Sequence, residues 1–168
     1  MEELFNHIEL ASKNNAYWVA LIGILTLPDI CSSLESQDGY ATKQKCIDWF
    51  DKWVSTKYFI NGEYRLNGTI CYSYRCAIVH QGKAIHRNMN YDKIIFLHPK
   101  TKGINMHMTI AQNTLSININ EFISEVITSA KEWNKSAKLN ESFQKNYAEF
   151  MKLYPNGKKP IFGIPLIG

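Results

Sequence analysis

Hydrophobic residues recur every three or four positions along most of the chain, the spacing that buries one face of an α-helix. A first amphipathic segment covers residues 2–12. Residues 16–27 are apolar on nearly all sides and predict a helix at the centre of a bundle. Pro28 is expected to end or kink this helix, because a proline lacks the N–H of a helical hydrogen bond. Thr42 is a suitable N-cap for a third helix that reaches about residue 56.

A fourth helix is predicted over residues 69–80. Asn67 and Gly68 precede it, and Gly82 follows it at the position where a left-handed residue commonly ends a helix. Its buried stripe is expected to consist of four apolar or aromatic residues: Ile70, Tyr74, Ala77 and Ile78.

The periodicity changes in the second half of the chain. Residues 93–97 form a short β-like run, residues 104–110 alternate apolar and polar side chains, and residues 114–118 fit a further strand. These segments predict a small antiparallel β-hairpin or three-stranded insert at about residues 93–118.

Two more helices are predicted after this insert. Asn120 is expected to cap a helix over residues 121–138, and a more polar helix covers residues 140–154. Residues 155–168 contain several glycines and prolines and are expected to form an irregular tail. The predicted fold is therefore mainly α: a helical bundle with a small β insert, forming one domain over residues 1–168.

The composition fits a globular protein, with 45% hydrophobic and 20% charged residues. The net charge of +4 permits an anionic partner but does not require one. The four cysteines have no C-x-x-C spacing, which indicates reduced core thiols in a cytoplasmic protein. The N-terminus has no signal-peptide pattern, and residues 16–27 are too few to span a bilayer, so no membrane association is expected.

The most informative residues lie near the end of the fourth helix. Only three of the nineteen basic residues are arginines, and Arg75 stands in an apolar helix five residues before His80. A guanidinium binds phosphate through a planar fork, and a histidine can move a proton at neutral pH. Five residues correspond to a rotation of about 140° on an ideal helix. Convergence of the pair therefore requires a frayed helix end, an Arg75 side chain that wraps around the helix or, as we favour, a second chain.

The Arg75-x4-His80 spacing near the end of a helix, in a small helical domain, resembles the R-x4-6-H motif of HEPN domains. The resemblance implies a helical bundle that dimerises, in which the Arg and His of two protomers meet in a shared cleft and cleave RNA without a metal or other cofactor. It also implies a role in prokaryotic defence or stress systems, with an antitoxin or other defence-system partner. Arg75 would then bind the scissile phosphate, and His80 would act as general acid or base.

Five further residues are candidates for substrate binding. Tyr72 lies one turn before Cys76 and is suited to orient a phosphate or a base. The segment after the helix is basic and would supply counter-charges for RNA through Lys83, His86 and Arg87.

The main alternative is a non-catalytic helical binding or interaction module. Arg75 would then pair with an acidic residue of another helix, and His80 would complement the partial negative charge of the helix C-terminus. Cys76 favours this alternative, because many active HEPN domains have a polar residue, often Asn, after the motif Arg. The acidic residues considered as partners of Arg75 are Asp48, Asp51 and Glu35.

Other chemistry is less favoured. Asp29 is expected to cap a turn after Pro28, with pairing to Arg75 as its alternative role. Cys76 and His80 could be read as a catalytic nucleophile and its base, but the sequence shows no third group that would orient the histidine. Three histidines around the β insert have no fixed ligand spacing, so they are expected at the surface rather than on a metal: His86, His98 and His107. An exposed edge of the β insert is a further site at which a protein could bind.

Overall fold

A computed structural model of the chain describes residues 1–85, 91–99 and 106–168. Six α-helices dominate these residues, and the sheets are small, so the predicted mainly α fold with a β insert is confirmed. The helices are α1 (Glu2–Lys13), α2 (Tyr17–Glu35), α3 (Lys43–Trp53), α4 (Gly68–Gln81), α5 (Ile119–Ala137) and α6 (Glu141–Ala148). A 3-10 turn at Ser55–Tyr58 follows α3, and a two-stranded hairpin, β1 (Phe59–Ile60) and β2 (Glu63–Tyr64), precedes α4.

Helix α2 occupies the centre of the bundle, as its pattern predicted, and contacts α1, α3, α4, α5 and α6. It is 19 residues long and is apolar enough to cross a membrane by length and composition, but half of its most apolar stretch is buried inside the fold. The helix is longer than the segment predicted from residues 16–27. Its contacts on several sides are those of a core helix in a soluble globular protein.

Pro28 does not end α2, and that prediction was wrong. The helix runs through the proline to Glu35, and the Pro28 ring itself is buried. A proline inside a helix costs about 3 kcal/mol. Burial of neighbouring side chains against five other helices offsets this cost, and such packing is not visible in local sequence. As a consequence Asp29 lies within a helix and is not an N-cap.

Most of the predicted helix ends are confirmed. The Thr42 side chain accepts a hydrogen bond from Lys45 N, and the Asn67 side chain accepts one from Ile70 N. Gly82 ends α4 in the left-handed conformation, with φ 62°.

The later helices differ in their bounds. The cap of α5 is Asn118 and not Asn120, because the Asn118 side chain accepts hydrogen bonds from the backbone N–H groups of Asn120 and Glu121. The last helix is capped by Asn140 and ends at Ala148, several residues earlier than expected.

The β insert is a mixed sheet and not the antiparallel one that was expected. Its strands are β3 (Lys93–Leu97), β4 (Thr109–Ala111) and β5 (Thr114–Asn118), in the order β3–β5–β4. Strands β4 and β5 form an antiparallel hairpin, whereas β3 lies parallel to β5. The strand expected at residues 104–110 begins only at Thr109, and residues 104–105 lie outside the described residues. Alternation of side chains does not encode the direction of pairing, which explains the error.

The C-terminal tail is also more regular than expected. It contains two antiparallel pairs of two-residue strands: β6 (Leu153–Tyr154) with β9 (Leu166–Ile167), and β7 (Gly157–Lys158) with β8 (Ile161–Phe162).

Candidate functional site

Gly68 sets the position of α4 against α3. Its backbone N–H donates to Asp51 Oδ1 at 2.7 Å. A Cβ atom added at Gly68 would lie only 2.8 Å from Ile47 Cα, so glycine is required for the two backbones to approach this closely. This close approach fixes the start of the helix that carries Arg75 and His80.

Arg75 is held by a carboxylate of the central helix. Its Nε donates to Asp29 Oδ2 at 3.0 Å, and the two side chains are only 19% and 20% exposed. The other Asp29 oxygen accepts a hydrogen bond from the Cys46 thiol at 3.1 Å. Burial, followed by this hydrogen bond to Asp29, raises the pKa of Cys46 to about 12, so the thiol stays protonated.

The acidic partners first considered for Arg75 are engaged elsewhere or do not contact it. Asp51 binds the backbone of Gly68, and Asp48 accepts a hydrogen bond from Gln44. Asp29, considered mainly as an N-cap, is the residue that pairs with Arg75. Its position in the sequence, 46 residues before Arg75, carries no signal of this contact.

Arg75 and His80 meet within one chain. Arg75 Nη1 lies 2.8 Å from His80 Nε2, and α4 continues without fraying to Gln81. The expectation that a second chain brings the two side chains together was therefore wrong for the contact itself. The long arginine side chain wraps around the helix and bridges the rotation between the two positions.

The direction of the hydrogen bond between Arg75 and His80 follows from the chemistry of the guanidinium. A guanidinium has only donor groups, so His80 Nε2 is the acceptor of this hydrogen bond. Burial opposes the charge of Arg75, but the interactions with Asp29 and Cys76 together outweigh burial, and the pKa of the guanidinium is raised. The site thus presents a permanent cation beside an exposed imidazole whose Nε2 is occupied by the hydrogen bond from Arg75.

Tyr72 joins this pair through its aromatic face. The Arg75 guanidinium carbon lies 5.8 Å from the centre of the Tyr72 ring, and Lys43 Nζ lies 5.9 Å from the same ring. Both distances are within the range of a cation–π interaction. Partial burial, and then the neighbouring Cys76 thiol, raise the pKa of Tyr72, so its hydroxyl stays protonated. Lys43 was not recognised from the sequence, because its only distinction there is its place at the start of α3.

Cys76 and Lys83 have different surroundings. Cys76 is a free, partly exposed thiol near Tyr72. The described hydrogen bond of the His80 ring is with Arg75 and not with Cys76. Lys83 lines a separate cavity, to which neither Arg75 nor His80 contributes. His86 and Arg87 lie outside the described residues.

The space next to Arg75 is small. A cavity lined by Asp29, Cys46, Tyr72 and Arg75, among others, measures only about 10 Å³, which is about enough for one water molecule. In the part of the chain that the structure describes, Arg75 therefore borders a cavity too small to enclose a nucleotide, and His80 lies at the surface.

His107 is not a surface histidine, contrary to expectation. Its side chain is 13% exposed, and its ring nitrogens lie 3.8 Å from Glu121 Oε2 and 3.6 Å from Glu125 Oε2. Its Nδ1 accepts a hydrogen bond from Asn118 N, which ties the segment before β4 to the N-cap of α5. Within residues 1–85, 91–99 and 106–168, no group of three or more His, Cys, Asp or Glu side chains is arranged to hold a metal ion.

No family model, curated protein or solved structure matches this chain.

Proposed function

We propose that the chain is a metal-independent endoribonuclease of HEPN type that acts on RNA in the cytoplasm. The observation that carries this proposal is the 2.8 Å contact between Arg75 Nη1 and His80 Nε2, with Asp29 anchoring the guanidinium on its other side. Free thiols at all four cysteines agree with a reducing compartment.

The arrangement supports a division of roles between the two residues. A phosphate that displaces His80 from Arg75 would be bound by the guanidinium, whose Nε remains on Asp29. His80 Nε2 would then take the proton of the ribose 2′-OH as this oxygen attacks phosphorus. The P–O5′ bond breaks, and the protonated His80 returns the proton to the leaving 5′-oxygen. Arg75 would stabilise the negative charge that builds up on the phosphoryl oxygens.

Residues around the pair would bind the rest of the RNA. Tyr72 and Lys43 lie next to Arg75 and would contact the base or the neighbouring phosphate. Cys76 borders the same surface. The basic residues after α4, namely Lys83, His86 and Arg87, remain proposed contacts for phosphates farther along the strand.

We further propose that the active form is a homodimer. An exposed apolar stripe on α2 consists of Trp18 and Val19, each 64% exposed, and Ile22, 40% exposed. Helical spacing carries this stripe through Thr26 to Asp29, the partner of Arg75. A second copy on this stripe would form a groove along the Arg–His surface. The described residues of one chain leave space there for about one water molecule. An antitoxin or another defence-system protein would compete for the same face.

Replacing Ile22 with aspartate should convert a dimer into monomers and reduce RNA cleavage, because a carboxylate would be buried without a partner at the apolar interface. Light scattering coupled to size-exclusion chromatography measures the mass. Leu139→Asp is a matched control, since Leu139 is 85% exposed and follows the C-cap of α5, Lys138. A dimer that persists in Ile22→Asp would contradict this interface.

The function itself is tested by incubating purified protein with single-stranded RNA in EDTA. We expect cuts that leave 2′,3′-cyclic phosphate and 5′-hydroxyl ends, the products of attack by the 2′-oxygen. RNA that stays intact at high enzyme concentration would count against the proposal.

A second candidate function is a non-catalytic interaction module, and the Arg75–Asp29 ion pair favours it. Arg75 is already neutralised by a carboxylate from another helix, and the adjoining cavity holds about 10 Å³. Under this proposal the Arg75–Asp29 ion pair holds α4 against α2.

Replacing Arg75 with methionine should lower the stability of the fold by about 1–2 kcal/mol, because Asp29 would lose its partner in a half-buried site. For a chain of this size the melting temperature should fall by roughly 2–8 °C. The control is Lys45→Met, which breaks the more exposed Lys45–Asp38 pair and should change stability little. A melting curve unaltered by Arg75→Met would contradict a locking role.

A further inference from the structure

A separate cavity of about 490 Å³ lies between the first half of α2, the end of α4 and strand β3. Its volume is typical of small-molecule sites. The walls are almost entirely apolar or aromatic, and Tyr74 and Phe96, whose ring centres are 5.6 Å apart, form part of them. An apolar ligand would remove both itself and these walls from water.

The described residues around the cavity include few polar groups, and the permanent charge among them is positive. Among the described lining residues, Lys83 carries the only permanent charge, and none is an aspartate or glutamate. His98 stands at the same wall, with its ring edge-on to Tyr17 at 5.0 Å. The Tyr17 hydroxyl already donates to Asn15, so it is engaged outside the cavity.

Tyr74 adds a second polar group. The residue is only 4% exposed, and it forms part of the cavity wall. A tyrosine presents an apolar ring and a hydroxyl that can form a hydrogen bond. Since Tyr74 lines the cavity, a ligand oxygen is a suitable partner for it.

We propose that this cavity binds an amphipathic carboxylate, of the class of medium-chain fatty acids. The acyl chain would lie against Tyr74, Ile78 and Phe96, and the carboxylate would pair with Lys83 at the rim. A cationic ligand would meet the Lys83 ammonium without a compensating carboxylate, and a dianion would leave one charge unpaired in apolar surroundings. The cavity shares Lys83 with the proposed RNA contacts and Trp18 with the proposed dimer stripe. Neither Arg75 nor His80 lines it, so binding of a carboxylate is measured separately from RNA cleavage.

Calorimetric titration of the full chain with decanoate tests the proposal. We expect saturable binding with one site, and an affinity about tenfold lower in Lys83→Gln, because a hydrogen bond to a charged group is lost. Lys145→Gln, at an exposed position on α6, is the matched control and should bind as the wild type does.

Three results would overturn the proposal. The first is no binding of decanoate by the folded wild type up to roughly 1 mM, the weakest affinity of interest here. The second is equal binding by wild type and Lys83→Gln. The third is an equal affinity of the wild type for decanol and decanoate, which would exclude recognition of the carboxylate.

Discussion

Replacing His80 with alanine should reduce RNA cleavage at least about 100-fold, because the reaction would lose the group that takes and returns the proton. His80 is exposed at the end of α4, so its removal should leave the melting temperature nearly unchanged. Rates of cleavage of a labelled single-stranded RNA, measured in EDTA, provide the readout.

His80→Gln sharpens this test. A glutamine amide oxygen can accept a hydrogen bond from Arg75, as the imidazole does, but it cannot carry the proton. We therefore expect His80→Gln to be as inactive as His80→Ala, whereas His7→Ala, at an exposed position on α1, should retain full activity. Cleavage that survives in either His80 variant would show that His80 does not transfer the proton.

Replacing Gly68 with alanine should destabilise the fold by about 3 kcal/mol. The added Cβ would lie 2.8 Å from Ile47 Cα and 2.9 Å from the Ile47 carbonyl carbon, so backbone rather than a flexible side chain would have to move. The hydrogen bond from Gly68 N to Asp51 would be strained by the same shift. For a chain of this length the melting temperature should fall by roughly 6–12 °C.

Thr69→Ala is the matched control for this prediction. Thr69 is the next residue of α4 and is exposed, and alanine favours helices, so little loss of stability is expected. A Gly68→Ala variant that melts with the wild type would show that α3 and α4 can separate at no cost, and would remove the reason for placing Gly68 at the base of the site.

Much of the local structure was predictable because it depends on neighbouring residues. The spacing of apolar residues predicted the helices, and the chemistry of Thr42, Asn67 and Gly82 predicted three of their ends. Errors arose where a distant contact outweighed a local preference. Pro28 remains within α2 because surrounding helices bury it, and β3 joins β5 in a parallel direction that alternation of side chains cannot specify.

For the candidate site, the sequence by itself determined which side chains are available: an arginine and a histidine five residues apart on one helix. Only the tertiary structure decided how they are arranged, because α2 and α4 bring Asp29 to Arg75 across 46 residues of chain. With Nε held there, the rest of the guanidinium reaches around the helix to His80. The geometry of an ideal helix gives the positions of the Cβ atoms. The position of the charged group at the end of a long side chain depends on the residue with which it pairs in the folded structure.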